Sequence, residues 1–161
     1  MADLLTHSLI AFSIGTMLSW RFKKINAQFI TIMMIGSVLP DLTRIGLVID
    51  STFIEDIVGI PFSWEPLHTL GGVILVILII TLLVNKKDSR FILSLLSLGA
   101  FSHLLLDAFL IKVSGRSYTM FFPITIYNPE IPGFYLSTDV WPAVVAGFVT
   151  VIIYIIDSRM K

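Results

Sequence analysis

Two ionisable side chains interrupt a long apolar stretch of the chain. His103 and Asp107 lie within the apolar run 91–111, in the sequence Ser-His-Leu-Leu-Leu-Asp. Residues four apart lie on one face of a helix, about one turn from each other, so both side chains could hold one metal ion. An ionisable group at membrane depth is rare and usually faces the interior of a helix bundle. This pair is therefore the centre of a candidate functional site.

The residue types present restrict the kind of metal site. The sequence contains three histidines, His7, His68 and His103, and no cysteine. Disulfides, iron–sulfur clusters and thiolate zinc sites are thereby excluded from it. A metal would use His, Asp, Glu or backbone oxygen, and these donors suit Zn, Mn, Fe or Mg.

The composition is that of a membrane protein. Hydrophobic residues make up 56% of the chain, whereas soluble domains are about 45–50% apolar even with glycine counted. The net charge is zero, so bulk charge gives no indication of nucleic-acid binding. No repeat or linker divides the sequence, and we expect one integral membrane domain over residues 1–161. Asp3 replaces the basic start of a signal peptide, which predicts a retained first helix.

Five segments approach the roughly 20 apolar residues that a transmembrane helix needs. The second of them either stops at Pro40-Asp41 or kinks there and continues to Val48. Loops are predicted at 50–67 and 112–138, with a polar turn at 85–90. The predicted fold class is all-α, a polytopic membrane helical bundle of about five transmembrane helices. The first four are 4–20, a segment from about 25 to 41, 67–84 and 91–111. The fifth is capped by Ser137, Thr138 or Asp139, has Pro142 in its first turn and ends near Ile156.

The basic residues predict how the chain is oriented, because Lys and Arg concentrate on the cytoplasmic side of membrane proteins. With the N-terminus outside and the C-terminus inside, eight of the eleven basic residues lie inside. Only Arg44, Lys112 and Arg116 remain outside. This predicts a multi-pass protein of the cell (plasma) membrane. The eight are Arg21, Lys23, Lys24, Lys86, Lys87, Arg90, Arg159 and Lys161.

This orientation brings every histidine to the same side of the membrane. Two aspartates, at the end of the second helix and in the fourth, lie at a similar depth. The orientation uses only Lys and Arg, so it does not force this agreement. We predict one polar site facing outside, formed by His7, Asp41, His68, His103 and Asp107.

Such a set of nitrogen and oxygen donors suits hydrolytic metal chemistry. Catalytic zinc sites usually have three protein ligands and a water, and phosphoester hydrolases often use two ions about 3.5–4 Å apart. Five donors fit one ion with a catalytic carboxylate, or two ions that share an aspartate. Asp41 or Asp107 would be a general base or orient a histidine. Arg116, with Lys112, would bind a substrate phosphate.

Each of these residues also has a simpler structural interpretation. A single histidine in a membrane helix often hydrogen-bonds to a neighbouring helix. Asp41 follows Pro40 and could pair with Arg44, and Asp107 could pair with Lys112 or Arg116. The two basic residues could equally anchor the chain at the membrane surface.

Several short motifs occur in an order that resembles a known family, the membrane-bound metal-dependent hydrolases, which are small bacterial and archaeal integral proteins. The metal motifs of that family resemble those of zinc-dependent phospholipases C and single-strand zinc nucleases. The resemblance implies that the five His and Asp side chains are metal ligands. The expected ion is zinc, with manganese or magnesium as alternatives. The motifs are Thr6-His7-Ser8, Gly36-Ser37-Val38-Leu39-Pro40-Asp41, Leu67-His68-Thr69, Ser102-His103-Leu104-Leu105-Leu106-Asp107, and Gly115 through Phe121-Phe122-Pro123.

The sequence departs from the family pattern at two places. Leu42-Thr43-Arg44 stands where the family often has an acidic residue and a histidine. Ser63-Trp64-Glu65 stands where it often has His-Arg-Gly. Glu65 is a candidate replacement ligand, and the number of ions stays open.

The leading hypothesis is hydrolysis of a phosphoester in a lipid or lipid-linked substrate that enters laterally. Membrane lipids and this substrate are the expected partners, with no nucleic acid. A small transporter or metal carrier is a second hypothesis. It would need polar residues along the whole membrane depth, whereas the inner halves of the helices offer only hydroxyls such as Ser13 and Ser94. A third is a scaffold or partner-binding protein whose metal staples the helices. The substrate and the oligomeric state are not fixed by the sequence.

Overall fold

A computed structural model describes residues 4–111, 120–125 and 133–160 of the chain. All regular elements within these residues are helices, and one isolated bridge pairs Leu110 with Tyr135. The all-α prediction is therefore confirmed. The elements are α1 (Leu4–Arg21), α2 (Ala27–Val38), α3 (Ser51–Val58), α4 (Leu70–Leu82), α5 (Lys86–Ala108), α6 (Trp141–Met160) and two 3₁₀ segments, Leu39–Leu47 and Glu65–His68.

Three stretches of the described residues are long and apolar enough to cross a membrane. They are Ala27–Leu47, Lys86–Ala108 and Trp141–Met160. α4 is apolar but shorter, with 13 residues. α1 has 18 residues, and Thr6, His7 and several serines make it more polar. Three spans are thus supported by length and composition, and five spans remain a prediction.

The predicted loop 50–67 contains a helix, so that part of the prediction is wrong. α3 begins after Asp50, whose side chain accepts a hydrogen bond from the Thr52 N–H (3.0 Å). It ends at Gly59, which has a φ of 74° in the left-handed region. Both are ordinary helix boundary signals. The prediction relied on long apolar runs, and this helix has only 8 residues.

Other helix boundaries differ by a few residues from the predicted ones. α5 begins at Lys86, inside the predicted polar turn 85–90, because charged side chains in a first turn can reach solvent while the backbone is helical. The second helix continues beyond Pro40 as the 3₁₀ segment to Leu47. α6 begins at Trp141 and has Pro142 in its first turn, whereas the Asp139 side chain accepts from the Leu136 N–H instead.

α2 and α5 cross at glycines, and this crossing is the centre of the bundle. A Cβ on Gly99 would overlap the Met33 carbonyl oxygen, and a Cβ on Gly36 would overlap the Leu96 carbonyl oxygen. Small residues let two helix backbones approach closely in a membrane. α1 packs against α2 on one side of this pair, and α4 packs against α5 on the other. The hydrophobic core fills both seams, and its buried members include Ala11, Met33 and Leu95 on one side and Val73, Ile77 and Leu96 on the other.

The helices alternate in direction, so their ends form two chemically different poles. At one pole, Lys24 lies 4.4 Å from the centre of the Phe91 ring, and Trp20 donates to Asp157 (3.1 Å). Most described basic residues lie near this pole, which we call the basic pole. The opposite pole contains the N-terminal ends of α1 and α4 and the C-terminal ends of α2 and α5, and we call it the site pole.

Two short segments cover the site pole. The Leu70 and Gly71 N–H groups at the start of α4 donate to carbonyls of Met120 and Phe122, each at 2.8 Å. After α5, the Ile111 N–H donates to the Tyr135 carbonyl (2.7 Å). Backbone groups at these helix ends therefore have partners, as a low-dielectric environment requires.

Candidate metal centre

Five ionisable side chains meet at the site pole, one or two from each of four parts of the chain. His7 comes from the first turns of α1, and Asp41 from the 3₁₀ segment after α2. His68 immediately precedes Thr69, whose hydroxyl caps α4 by accepting from the Gly72 N–H. His103 and Asp107 lie on one face of α5. These are the five residues that the sequence predicted to lie together, and the structure brings all of them together.

Three of the side chains form a close triangle of donor atoms. The His68 Nε2 lies 3.0 Å from the Asp107 Oδ2 and 3.3 Å from the His103 Nε2. The His103 Nε2 lies 3.6 Å from the same Asp107 oxygen. Two ligands about 2.0–2.1 Å from a tetrahedral ion are roughly 3.3 Å apart. The triangle therefore has the dimensions of one face of such a coordination shell.

The remaining two side chains extend this triangle on either side. The His7 Nε2 lies 3.4 Å from the Asp107 Oδ1, and the His7 ring stacks on the His103 ring with centroids 3.7 Å apart. The Asp41 Oδ1 lies 3.9 Å from the His103 Nε2. Two overlapping groups of donors could hold an ion, His7 with His103 and Asp107, and Asp41 with His68 and His103.

The tautomer of His103 is determined by a backbone carbonyl. The His103 Nδ1 lies 2.6 Å from the Ser37 carbonyl oxygen, which can only accept, so Nδ1 carries the proton. In the neutral ring, Nε2 then presents a lone pair toward the oxygens of Asp41 and Asp107. Lone pairs that face carboxylate oxygens repel unless a proton or a metal cation lies between them. A backbone carbonyl that fixes the tautomer of a histidine is also usual in metal sites.

The sequence that follows Ser37 removes one possible donor to its carbonyl. In the 3₁₀ register that begins at Leu39, the residue that would donate to Ser37 is Pro40, and proline has no N–H. The Gly36–Gly99 crossing brings α5 close enough for His103 to take this position. The sequence did not lead us to the Ser37 carbonyl as a partner of His103, although Pro40, three residues after Ser37, was a usable signal.

Burial makes the unpaired polar atoms of the site costly. Within the described part of the chain, neither ring nitrogen of His7 makes a hydrogen bond, and the Asp41 carboxylate has no partner of this kind besides its ion pair with Arg44. Arg44 lies 3.1 Å from the Asp41 Oδ2 as an ion pair, the simpler partner considered for Asp41 from the sequence. Buried polar atoms without partners are rare, and nitrogen and carboxylate oxygen donors of this kind suit a divalent cation.

Access to the centre is on the side of His68. The His68 side chain is 13% exposed, whereas those of His7 and His103 are 0% exposed. A ligand or water would thus approach past His68. Arg44, with 44% of its side chain exposed, extends from Asp41 toward the surface. It is the one described Lys or Arg that contacts a residue of the centre.

Tyr135 supports α5 next to the centre. Its hydroxyl donates to the Leu106 carbonyl (2.8 Å). Burial, and secondarily the charge of Asp107, raises the pKa of Tyr135 to about 12. The hydroxyl therefore stays protonated and remains a donor over the whole physiological pH range.

Some predicted site residues are not part of this arrangement. Arg116 and Lys112 lie outside the residues that the structure describes, so the predicted role of Arg116 stays a prediction. Glu65 is exposed, and it belongs to neither of the two donor groups identified within the described residues.

Comparison with known proteins gives one match. A protein-family model described as YdjM inner membrane protein matches residues 1–160. Searches of curated proteins and of solved structures gave no significant match.

Proposed function

We propose that in this chain, which belongs to the YdjM inner membrane protein family, the His/Asp centre is a metal-dependent hydrolytic site within the membrane. The substrate class is a phosphoester in a lipid or lipid-linked molecule, and the site faces the extracytoplasmic side. The observation that carries the proposal is the triangle of His68, His103 and Asp107, with edges of 3.0, 3.3 and 3.6 Å.

The donors favour one ion at this triangle. The Nδ1 of His103 is engaged by Ser37, so His103 has one nitrogen to offer and can bind only one ion. His68, His103 and Asp107 would hold the ion, with zinc expected and manganese or magnesium as alternatives. When bound, the ion would polarise a phosphoryl oxygen and lower the pKa of a water.

The other side chains have roles that follow from their positions. Asp41, 3.9 Å from the His103 Nε2, is placed to accept a proton from a water at the centre or to complete the coordination. His7 hydrogen-bonds or coordinates next to Asp107. The Arg44 guanidinium is half-exposed beside Asp41, where it would stabilise the negative charge of a phosphate.

The membrane environment supports a lipid substrate. The centre lies at one pole of a bundle that contains three helices suited to span a membrane, and in a bilayer this pole would lie near the lipid headgroups. A phosphoester in a lipid headgroup would reach this depth by lateral diffusion, without a channel through the protein.

A first experiment compares metal content and hydrolysis. Detergent-purified wild type should contain about one equivalent of zinc or manganese, and His103→Ala/Asp107→Ala should lose it. His68→Ala removes the most exposed ligand and should also lose metal while it disturbs helix packing least. Asp88→Asn removes a carboxylate at the opposite end of α5 and should keep the metal. Metal-loaded wild type should hydrolyse phospholipid in mixed micelles, and a chelator should stop it.

A second candidate function is a metal-stapled scaffold. It is favoured by one observation, that the centre joins α1, α5 and both 3₁₀ segments of the bundle. In that case metal would be present and His68→Ala would lower the thermal unfolding midpoint, but no phosphoester would be hydrolysed. Absence of metal in the reconstituted wild type would contradict both functions.

A further inference from the structure

α3 is a helix without a hydrophobic core of its own. None of its eight residues is buried. It is held by local bonds, the Asp50 cap at its start and the Gly59 N–H to the Glu55 carbonyl (2.8 Å) at its end. A helix of this length is marginal in water, so its apolar side chains need a covering surface.

The side chains of α3 divide cleanly into two faces. At 100° per residue, Phe53, Ile54, Ile57 and Val58 cover about 140° of the circumference, and the polar residues occupy the rest. Phe53 and Ile57 are 59% and 67% exposed. The polar face contains Ser51, Thr52, Glu55 and Asp56.

Exposed apolar side chains also flank the helix on both sides in the sequence. Leu47 and Val48 before α3 are each 87% exposed, and Ile60 after it is 61% exposed. Together with α3 they form an apolar surface at the site pole, which we call the 47–60 surface. A contiguous apolar surface of this kind marks a site of interaction with protein or membrane.

The position of this surface indicates its partner. The candidate membrane span Ala27–Leu47 ends where the 47–60 surface begins, so the surface continues directly from a helix that is suited to span the membrane. We propose that α3 lies in the membrane interface at the site pole, with Phe53 and Ile57 toward the acyl chains and Asp56 toward water. The partner is the lipid surface of the bilayer in which the chain is embedded.

The charge of the segment around α3 indicates which property of the lipid drives its insertion. No Lys or Arg occurs between Arg44 and Lys86, and α3 carries Glu55 and Asp56. Anionic headgroups would therefore not attract the helix, and insertion depends on apolar area. The proposal does not depend on hydrolysis, because it needs only the membrane.

The anchored segment is bracketed by residues of the candidate metal centre. Asp41 precedes it and His68 follows it. The Trp64 Nε1 donates to the Ile49 carbonyl (2.9 Å), which connects the two sides of the segment. An interfacial α3 would thus set the depth of both Asp41 and His68 relative to the headgroups.

The chain has no native cysteine, so site-directed spin labelling tests this proposal. Ile57→Cys, Phe53→Cys and Asp56→Cys are labelled one at a time and reconstituted into phosphatidylcholine vesicles. At Ile57→Cys and Phe53→Cys, the spin label should collide more often with oxygen than with a water-soluble nickel complex. At Asp56→Cys it should collide more often with the nickel complex. The ratio of the oxygen rate to the nickel-complex rate should differ severalfold between these two groups of positions. Replacing a third of the lipid with phosphatidylglycerol should leave the pattern unchanged.

Two reference positions calibrate the measurement. Val151→Cys, on the exposed face of α6, reports a lipid-facing site, and Lys87→Cys at the basic pole reports an aqueous one. Equal exposure of all three α3 positions to the nickel complex would overturn the proposal, because the helix would then lie in water. Low collision with both reagents at Ile57→Cys would also overturn it, because a protein surface would then cover the face.

Discussion

At the scale of single residues, the centre depends on the direction in which His103 presents its lone pair. The Ser37 carbonyl accepts from Nδ1 at 2.6 Å, and this leaves Nε2 to face Asp107, Asp41 and His68. Pro40 has no N–H and therefore does not compete for this carbonyl in the 3₁₀ register. The proline of the Leu-Pro-Asp motif would thereby help to orient His103 on another helix.

Pro40→Ala tests this connection. Alanine supplies an N–H that competes with His103 for the Ser37 carbonyl, so the imidazole is less firmly oriented. Loss of a hydrogen bond that orients a metal ligand typically lowers metal affinity about 10–100-fold, and we expect the lower end because the ring itself remains. Zinc affinity is measured by competition with a chromogenic chelator.

Pro61→Ala is the matched control, since Pro61 is exposed in the loop after α3. Its zinc affinity should equal that of wild type. An unchanged affinity in Pro40→Ala would show that the Ser37 contact is not what orients His103.

At the scale of elements, the α2–α5 crossing determines whether the centre forms. The crossing has no space for a Cβ at Gly36 or Gly99, where backbone atoms of the partner helix are in contact. His103 lies one turn after Gly99, so a wider crossing would move its Nδ1 away from Ser37. Packing and site geometry are therefore coupled at this point.

Gly99→Ala should separate the two helices and destabilise the protein by about 1–3 kcal/mol, the usual cost of overpacking. The thermal unfolding midpoint in detergent should fall, and bound metal should fall with it. Unchanged stability and metal content would mean that the helices are not in backbone contact.

Gly147→Ala is the control for this substitution. Gly147 is also within a helix, and a Cβ there would meet no atom within 4 Å. Because alanine is the better helix former by up to about 1 kcal/mol, the unfolding midpoint should stay the same or rise, and metal content should not change.

At the scale of the whole molecule, the bundle has two chemically different poles. This is a membrane protein of the YdjM inner membrane protein family, with three helices suited to span the bilayer. Basic side chains cluster at one pole and the His/Asp centre lies at the other. The bias of Lys and Arg toward the cytoplasm supports the proposal that the centre faces outside.

Thiol labelling of single-cysteine variants tests this orientation. A membrane-impermeant maleimide should label Asp56→Cys at the site pole in right-side-out membrane vesicles. Lys87→Cys at the basic pole should be labelled only after the vesicles are permeabilised. The opposite result would assign the centre to the cytoplasmic side and exclude an extracytoplasmic substrate.

Much of the architecture follows from the sequence by itself. Long apolar runs and basic turns indicate an all-α membrane protein, and approximate helix positions follow from the same pattern. The meeting of His7, Asp41, His68, His103 and Asp107 was also predictable, because alternating helices bring every second helix end to the same pole. α3 was not predictable in this way, since its signals are local caps rather than a long apolar run.

Only the tertiary structure determined how these side chains are arranged within the cluster. The lone-pair direction of His103 and the triangle of donors depend on distances between helices. Those distances are set by backbone contacts at Gly36 and Gly99, and a sequence pattern specifies which face of a helix is polar but not how closely two helices approach. The sequence thus determined which residues meet, and packing determined which atoms face each other.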